Sequence, residues 1–359
     1  MANLTLEDIA KLAGVSRSTV SRVINNHPNV SEIARERVRS VVSQTGFHPN
    51  LAARSLALQR SYILGLVIPR SVNTFFADPY FPRLTEGIAQ ACNNHGFTLS
   101  LFLFYTEEDE RNLFPRLCRR GLVDGTIIQS THAEDEMFDQ LSKSEVPYVV
   151  AGRPMHVNNA SYVDVDNVSG AYTAVRHLAM LGYKRIANIA APMVTTTGID
   201  RMEGYRKGLK ESGLRFDPDL VVESDFTEDG GYYSTQRLLP CKPDAIFVDS
   251  DMMAVGALRA LRDKGLNVPD DIGIVGYDDL PPARQASPMI TTIRQPIRRL
   301  GVQLVETLLD IIENGPIPPR RIIFGTELII RESCGMNRIV NKHNDRQKPI
   351  TVPREEGRR

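Results

Sequence analysis

One short run, Gly14-Val15-Ser16-Arg17-Ser18-Thr19-Val20-Ser21-Arg22-Val23-Ile24-Asn25, constrains this chain more than any other stretch. Before it, Thr5 stands where a helix N-cap belongs, with Asp8 three residues on. It opens a helix whose apolar side is Leu6, Ile9, Ala10 and Ala13. Gly14 ends that helix, because a sharp turn needs a residue that tolerates positive φ. Ser16 caps a second helix, with Thr19 at its third position and Val20, Val23 and Ile24 inward. Arg17, Ser18, Ser21, Arg22 and Asn25 are left outward. Two short helices joined by a turn of this kind form a helix-turn-helix. The second presents arginine, serine and asparagine, which read base edges and hold phosphates in a major groove. An ordinary helical hairpin with a solvated polar face would use the same turn, so the motif alone leaves both readings open.

The next stretch decides between them. Ser31 caps a third helix, with Ala34, Val38, Val41 and Val42 as the buried stripe and Arg35, Arg37 and Arg39 outside. Then comes Gly46-Phe47-His48-Pro49-Asn50-Leu51-Ala52-Ala53-Arg54-Ser55-Leu56-Ala57. Residues 4–58 as a whole resemble the N-terminal headpiece and hinge of the lactose/galactose-repressor (LacI/GalR) family of bacterial transcription regulators. The resemblance rests on Gly14-Val15-Ser16, Thr19 to Val23, Asn25 and the hinge Pro49-Asn50…Ala53-Arg54-Ser55-Leu56, two motifs in the right order.

Composition agrees with a DNA-binding head on a different body. Residues 1–60 hold eight Lys/Arg against four Asp/Glu, and 336–359 hold seven against three. The formal net charge of zero therefore leaves 61–335 at −8. At 359 residues two or three domains are expected. The four cysteines are scattered without a C-x-x-C pair, so neither a metal nor a disulfide is expected. No apolar stretch reaches membrane length and the N-terminus does not read as a signal peptide, so a cytoplasmic protein is expected.

After the hinge, short apolar runs alternate with segments of helical period. Strands are expected at 63–68, 98–104, 125–128, 147–151, 162–165, 185–189, 245–248 and 272–275. Helices are expected at 82–95, 107–120, 134–144, 167–181, 201–213, 229–239 and 251–264. This many alternations argue for two parallel sheets, each covered on both faces. Ligands in such folds sit at the carboxyl ends of the strands. No G-x-G-x-x-G follows a predicted strand, and G-x-x-x-x-G-K-[ST], G-x-S-x-G and H-E-x-x-H are absent, so an enzyme is not expected and no cofactor is called for.

The resemblance continues to about Cys334, through Gly65-Leu66-Val67-Ile68-Pro69, Arg201…Gly204-Tyr205, Met253 to Leu258 and Gly276-Tyr277-Asp278-Asp279. It implies a two-lobed α/β core similar to periplasmic sugar-binding proteins, with doubly wound parallel sheets behind an all-α headpiece. The implied division is 1–48 headpiece, 49–60 hinge, and 61–335 effector-binding and dimerisation core. Within the core, one lobe is about 61–162 plus 293–321 and the other about 163–292 plus 322–335. Residues 336–359 read as a disordered basic tail.

The resemblance also implies the effector-holding residues. Arg201 and Asp278 fall where the family places a cleft arginine and a hydroxyl-accepting carboxylate. Asp249 and Ser250 fall at a polar contact position, and Phe226 at a stacking aromatic. A salt bridge, a helix cap and a core position are the respective competing readings. The loop from Arg70 to Pro82 is longer than usual and admits two alignments. One places Asn73, Phe75 and Phe76 at the site. The other, preferred because it runs without a gap into the next helix, places Asp78, Tyr80 and Phe81 there. Arg153, after a strand, is a further candidate. On DNA, Arg17, Ser18 and Arg22 are expected to enter the major groove, with Thr5, Ser16, Thr19, Ser21 and Asn25 on phosphates. Asn50, Ala53, Leu56 and Ala57 belong to a hinge helix, Leu56 wedging into a minor-groove step. The expected partners are a pseudo-palindromic double-stranded DNA operator, a mono- or disaccharide (or, alternatively, a purine) and a second copy of the chain. A sugar-binding protein without DNA function is the rival of another class.

Overall fold

The computed structural model describes residues 4–24, 27–47, 60–129, 140, 143–155 and 159–336, without the side chains of 69–74 and 107. The hinge, the tail and most of the helix expected at 134–144 lie outside these residues. The chain divides into two compact units at Tyr62. The first holds α1 (Leu6–Ala13), α2 (Arg17–Ile24) and α3 (Glu32–Thr45).

Local chemistry sets the ends of these helices. Thr5 Oγ1 accepts the Asp8 N–H at 3.3 Å and the Asp8 carboxylate accepts the Thr5 N–H at 2.9 Å, closing a capping box. Gly14 follows α1 with φ of 66°. Ser16 Oγ accepts the Thr19 N–H at 3.1 Å and Ser31 Oγ the Ala34 N–H at 3.4 Å. Helices this short do not persist singly in water. Ile9, Ala13, Val20, Val23, Val38 and Phe47 bury between them and supply the missing stabilisation. Arg35 departs from its expected outward place. It is half-buried and donates from Nη2 to the His27 carbonyl at 3.0 Å, satisfying a backbone acceptor in the turn before α3.

The second unit has two six-stranded sheets. The first runs in the order β11 (Arg321–Phe324), β5 (Tyr162–Val165), β4 (Tyr148–Ala151), β3 (Gly125–Gln129), β1 (Ile63–Ser71), β2 (Thr98–Phe104). All its neighbours are parallel. The second runs β12 (Glu327–Ile329), β10 (Thr291–Arg294), β9 (Gly273–Asp278), β8 (Ala245–Val248), β6 (Ile186–Ala190), β7 (Val221–Glu223), with only β12 antiparallel.

Parallel neighbours require crossovers, and helices supply them. Beside the first sheet lie α4 (Val72–Ala77), α5 (Tyr80–Asn94) and α6 (Glu107–Leu117). Beside the second lie α7 (Asn167–Met180), α8 (Thr196–Glu211), α9 (Glu228–Leu238), α10 (Asp251–Asp263) and α11 (Pro281–Gln285). Finally α12 (Ile297–Asn314) returns to the first sheet and lies along α5. There the two backbones touch. A Cβ at Gly87 would fall 2.0 Å from the Arg298 carbonyl oxygen, and one at Gly301 2.4 Å from that of Leu84, so only glycine allows this approach.

The chain thus crosses between lobes three times, at 165–167, 294–297 and 324–327, two or three residues later than the sequence reading places each crossing. That reading also omits β7, β10, β11, β12, α4, α11 and α12. Among the described residues no helix is long and apolar enough to cross a membrane.

Candidate functional site

Two surfaces carry the residues singled out above. On the first unit, Thr5, Ser16, Arg17, Ser18 and Arg22 are exposed, while Thr19 and Ser21 are half-buried. Ser16 Oγ lies 2.7 Å from Ser18 Oγ and 2.9 Å from Thr19 Oγ1, gathering three hydroxyls at the start of α2. The first-turn amides and the positive end of a helix dipole favour a phosphate at such a position. Arg17 Nε lies 3.0 Å from Glu7 Oε1, which orients it from α1. An exposed pair of this kind contributes at most about 1 kcal/mol and is readily exchanged for another anion. Asn25, Asn50, Ala53, Leu56 and Ala57 lie outside the described residues.

In the second unit, groups at the carboxyl ends of strands from both sheets meet around Arg201, on α8. Its side chain is buried. Nε donates to Asn167 Oδ1 at 3.0 Å, Nη1 donates to the Asp249 carbonyl oxygen, and Nη2 lies 3.7 Å from Asp278 Oδ1. The guanidinium stacks 3.6 Å above the Tyr277 ring, which adds a cation–π attraction. Lobe one brings Asp78 and Tyr80, after β1, and Asp164, from β5, all half-buried and within electrostatic reach of the same guanidinium. Asp78 Oδ1 accepts the Tyr80 N–H at 2.9 Å.

Asp278 is held with some strain. It has φ of 113° and Asp279 φ of 58°, two successive non-glycine residues in the left-handed region. Gln295 Nε2 donates to Asp278 Oδ1 at 2.5 Å. The Asp279 carboxylate accepts from Arg284 at 2.9 Å, from Arg294 at 2.7 Å and from Arg331. Burial opposes the charge on Asp279, but hydrogen bonds from these arginines outweigh it and hold its carboxyl below the ordinary range. The hub clamps the strained turn and so fixes where Asp278 points.

The remaining candidates take other roles. Asp249 spends its carboxylate on the Asn188 amide and the Ala191 N–H, both at 2.9 Å, and meets Arg201 through its backbone. Ser250 caps α10, accepting the Met253 N–H at 3.2 Å. Arg153 donates to Asp200 at 2.5 Å, a bridge from lobe one to α8 of lobe two. Phe226 is half-buried against the second lobe's core with φ of 68°. Phe81 does not join the cleft: at the second position of α5 it faces the sheet and packs against Phe75, ring centroids 6.0 Å apart. Sequence reasoning missed Asp164, Asn167, Asp200, Tyr277 and Gln295. Only Tyr277 lay inside a quoted motif.

Burial raises several of these carboxyls. It pushes Asp78, Asp164 and Asp249 up to about 6, against backbone N–H donors and the pull of Arg201. It also raises Asp278, with Arg201 opposing and Asp78 adding, and Asp251, with Asp278 adding. Each therefore binds its proton more tightly folded than at the ordinary 3.8 of the unfolded chain. The folded chain holds more protons between about pH 4 and pH 7, so stability falls as pH rises through that window. Calorimetry should give a melting temperature several degrees higher near pH 5.5 than near pH 8. Asp278→Asn should shrink the difference; a profile that stays flat across the window contradicts the burial argument.

Comparison with known proteins assigns the two units. Residues 5–50 match the profile described as bacterial regulatory proteins, lacI family, and residues 175–334 match a periplasmic binding protein-like domain. The HTH-type transcriptional regulator CelR of Thermobifida fusca is 38% identical over 333 residues, 92% of this chain and 98% of that one. This chain belongs to the LacI family. It is a sequence-specific DNA-binding transcription regulator, not an enzyme. The catabolite control protein A of Priestia megaterium is 33% identical over 310 residues, covering 85% of this chain and 92% of that one. Among solved structures, a CelR–cellobiose complex matches with a TM-score of 0.73 at 37% identity, covering 92% of this chain and 99% of that one. A lac repressor dimer bound to operator and the anti-inducer ONPF matches with a TM-score of 0.79 at 26% identity, covering 93% and 99%.

Proposed function

We propose that this regulator is a homodimeric, cytoplasmic repressor of carbohydrate-utilisation genes, controlled by a mono- or disaccharide bound between the lobes. The observation that carries the sugar reading is the ring of carboxyls from both lobes around Arg201. A carboxylate accepts from two hydroxyls at once, and groups from both lobes make affinity depend on the lobe angle. The cellobiose in the CelR complex supports the same class of ligand. A purine is the second reading, with the half-buried Tyr80 as the ring that would stack on it.

The proposed operator and the surface support dimerisation. A pseudo-palindrome presents two equivalent half-sites, which two headpieces read together. In the core, β2 is an edge strand with Leu101 42% exposed, an edge that a second copy can cover. A groove of about 930 Å³ also opens beside Asp278, lined by Pro79, Pro82 and Glu86 of lobe one and Pro281 and Arg284 of lobe two. A partner seated across both lobes there would sense their angle. Effector occupancy shifts DNA affinity by the difference in its affinity for the two lobe arrangements, commonly about 1–3 kcal/mol.

The test is a fluorescence-anisotropy titration onto a palindrome with a central CG step, repeated with cellobiose, other mono- and disaccharides, and purines. Nanomolar, salt-steep binding shifted by a sugar supports the reading; a shift by purines alone supports the second. No specific binding on such palindromes counts against the operator proposed here. In the same assay Leu56→Ala should weaken operator binding roughly tenfold and leave sugar binding intact, since unstacking a base step costs a few kcal/mol that the wedge must supply. Equal operator affinity in both proteins counts against the wedge.

A further inference from the structure

The charges around Arg201 are badly unbalanced. Asp278 of lobe two, 3.7 Å from Nη2, and Asp78 and Asp164 of lobe one lie within electrostatic reach of a single guanidinium, while Asp249 turns its carboxylate to Asn188 and Ala191. That guanidinium is already engaged on Asn167, the Asp249 carbonyl oxygen and Asp278. Arg153, also at the cleft, is paired with Asp200 at 2.5 Å. Lobe one brings the Asp78 and Asp164 carboxyls and the Tyr80 phenol toward Arg201.

We infer that the cleft selects its effector by charge, admitting a neutral hydroxyl-rich sugar and excluding the carboxylated or phosphorylated form of the same sugar. This rests on the sugar reading above and narrows it. An anionic group entering between the lobes would meet Asp78 and Asp164 on one wall and Asp278 on the other, and the cleft arginines among the described side chains, Arg153 and Arg201, already face carboxylates. Like charges at close range in a partly desolvated site are strongly disfavoured, whereas a hydroxyl donates to the same carboxylates. Asp78 is the group to probe: it belongs to the lengthened first loop, and only its Oδ1 is occupied, by the Tyr80 N–H. Asp164, by contrast, accepts three protein donors: the Arg153 N–H at 2.9 Å, the Val165 N–H at 2.7 Å and the Asn167 amide at 3.3 Å.

The experiment is calorimetric titration of the full-length protein with matched sets at pH 7.5: glucose, glucuronate and glucose 6-phosphate, and cellobiose with its uronic acid and 6-phosphate. A uronic acid replaces a hydroxymethyl by a carboxylate of similar size, so it separates charge from bulk. The neutral member of the set that binds should do so roughly 30-fold or more tightly than its uronic acid. Asp78→Asn should cut that ratio at least fivefold, mainly by strengthening the anion; Asp164→Asn is the second variant if the first does not fold. A uronic acid or phosphate that binds as tightly as the neutral sugar overturns the charge selection and leaves the sugar reading standing. An unchanged ratio in both folded variants also overturns it. Binding by no sugar in any set overturns the sugar reading and the selection with it.

Discussion

Arg201→Ala should abolish the effector response while leaving operator binding in place. The expected loss of effector affinity is about 100-fold or more, since a hydrogen bond to a charged group contributes about 1.5–3 kcal/mol and Arg201 also orders its neighbours. Its Nε holds the Asn167 amide, its Nη1 holds the Asp249 backbone, and its charge faces Asp278. Removing one partner of a buried pair ordinarily costs about 3–5 kcal/mol of stability. Here Asp278 is already raised by burial, so near neutrality it can take up a proton instead of standing as an unpaired charge. The variant is therefore expected to fold, to melt at a lower temperature above about pH 7, and to recover part of that loss near pH 5. Operator titration with and without sugar checks the first claim and calorimetry at two pH values the second. A variant that still responds normally to the effector would show that the cleft is misassigned.

What the sequence reveals depends on how local the deciding interactions are. The headpiece is legible because its caps, Thr5–Asp8, Ser16–Thr19 and Ser31–Ala34, each span three residues. Arg201 and Asp278 are legible because each belongs to a recognisable motif, Arg201…Gly204-Tyr205 inside α8 and Gly276-Tyr277-Asp278-Asp279 at the end of β9. The lobe boundaries are less so: β11 is a strand only because Arg321 to Phe324 pair with Tyr162 to Val165, far back in the chain. Likewise Arg153 and Asp200 meet across 47 residues, which no spacing rule anticipates. Two misses had local signals. Ile297, Leu300, Leu304, Leu308 and Ile311 already carry the helical period of α12. Phe81, Leu84, Ile88 and Ala91 form one apolar stripe, which puts Phe81 in the core whatever the loop alignment.

Arg22→Ala should produce the opposite failure, a regulator that binds its sugar and has lost its operator. Arg22 is exposed on α2, while Val20 and Val23 on the other side of the same helix hold the fold, so the substitution removes a contact without opening the headpiece core. A base-edge or phosphate contact by arginine contributes about 1–3 kcal/mol. A symmetric dimer loses it at both half-sites, so operator affinity should fall roughly 30-fold at the least. The salt dependence tells which contact was lost. A phosphate contact lowers affinity for all sequences alike and makes the slope of log affinity against log salt shallower by about one for each arginine removed. A base contact relaxes discrimination at one position of each half-site instead. Effector titration should be indistinguishable from wild type, because no residue of the cleft has changed. If Arg22→Ala loses the operator and keeps the sugar while Arg201→Ala does the reverse, the two sites are separable in binding and coupled only through the chain between them. If Arg22→Ala also altered sugar affinity in the absence of DNA, the headpiece would be contributing to the effector equilibrium itself, and coupling through lobe angle alone would not account for the response.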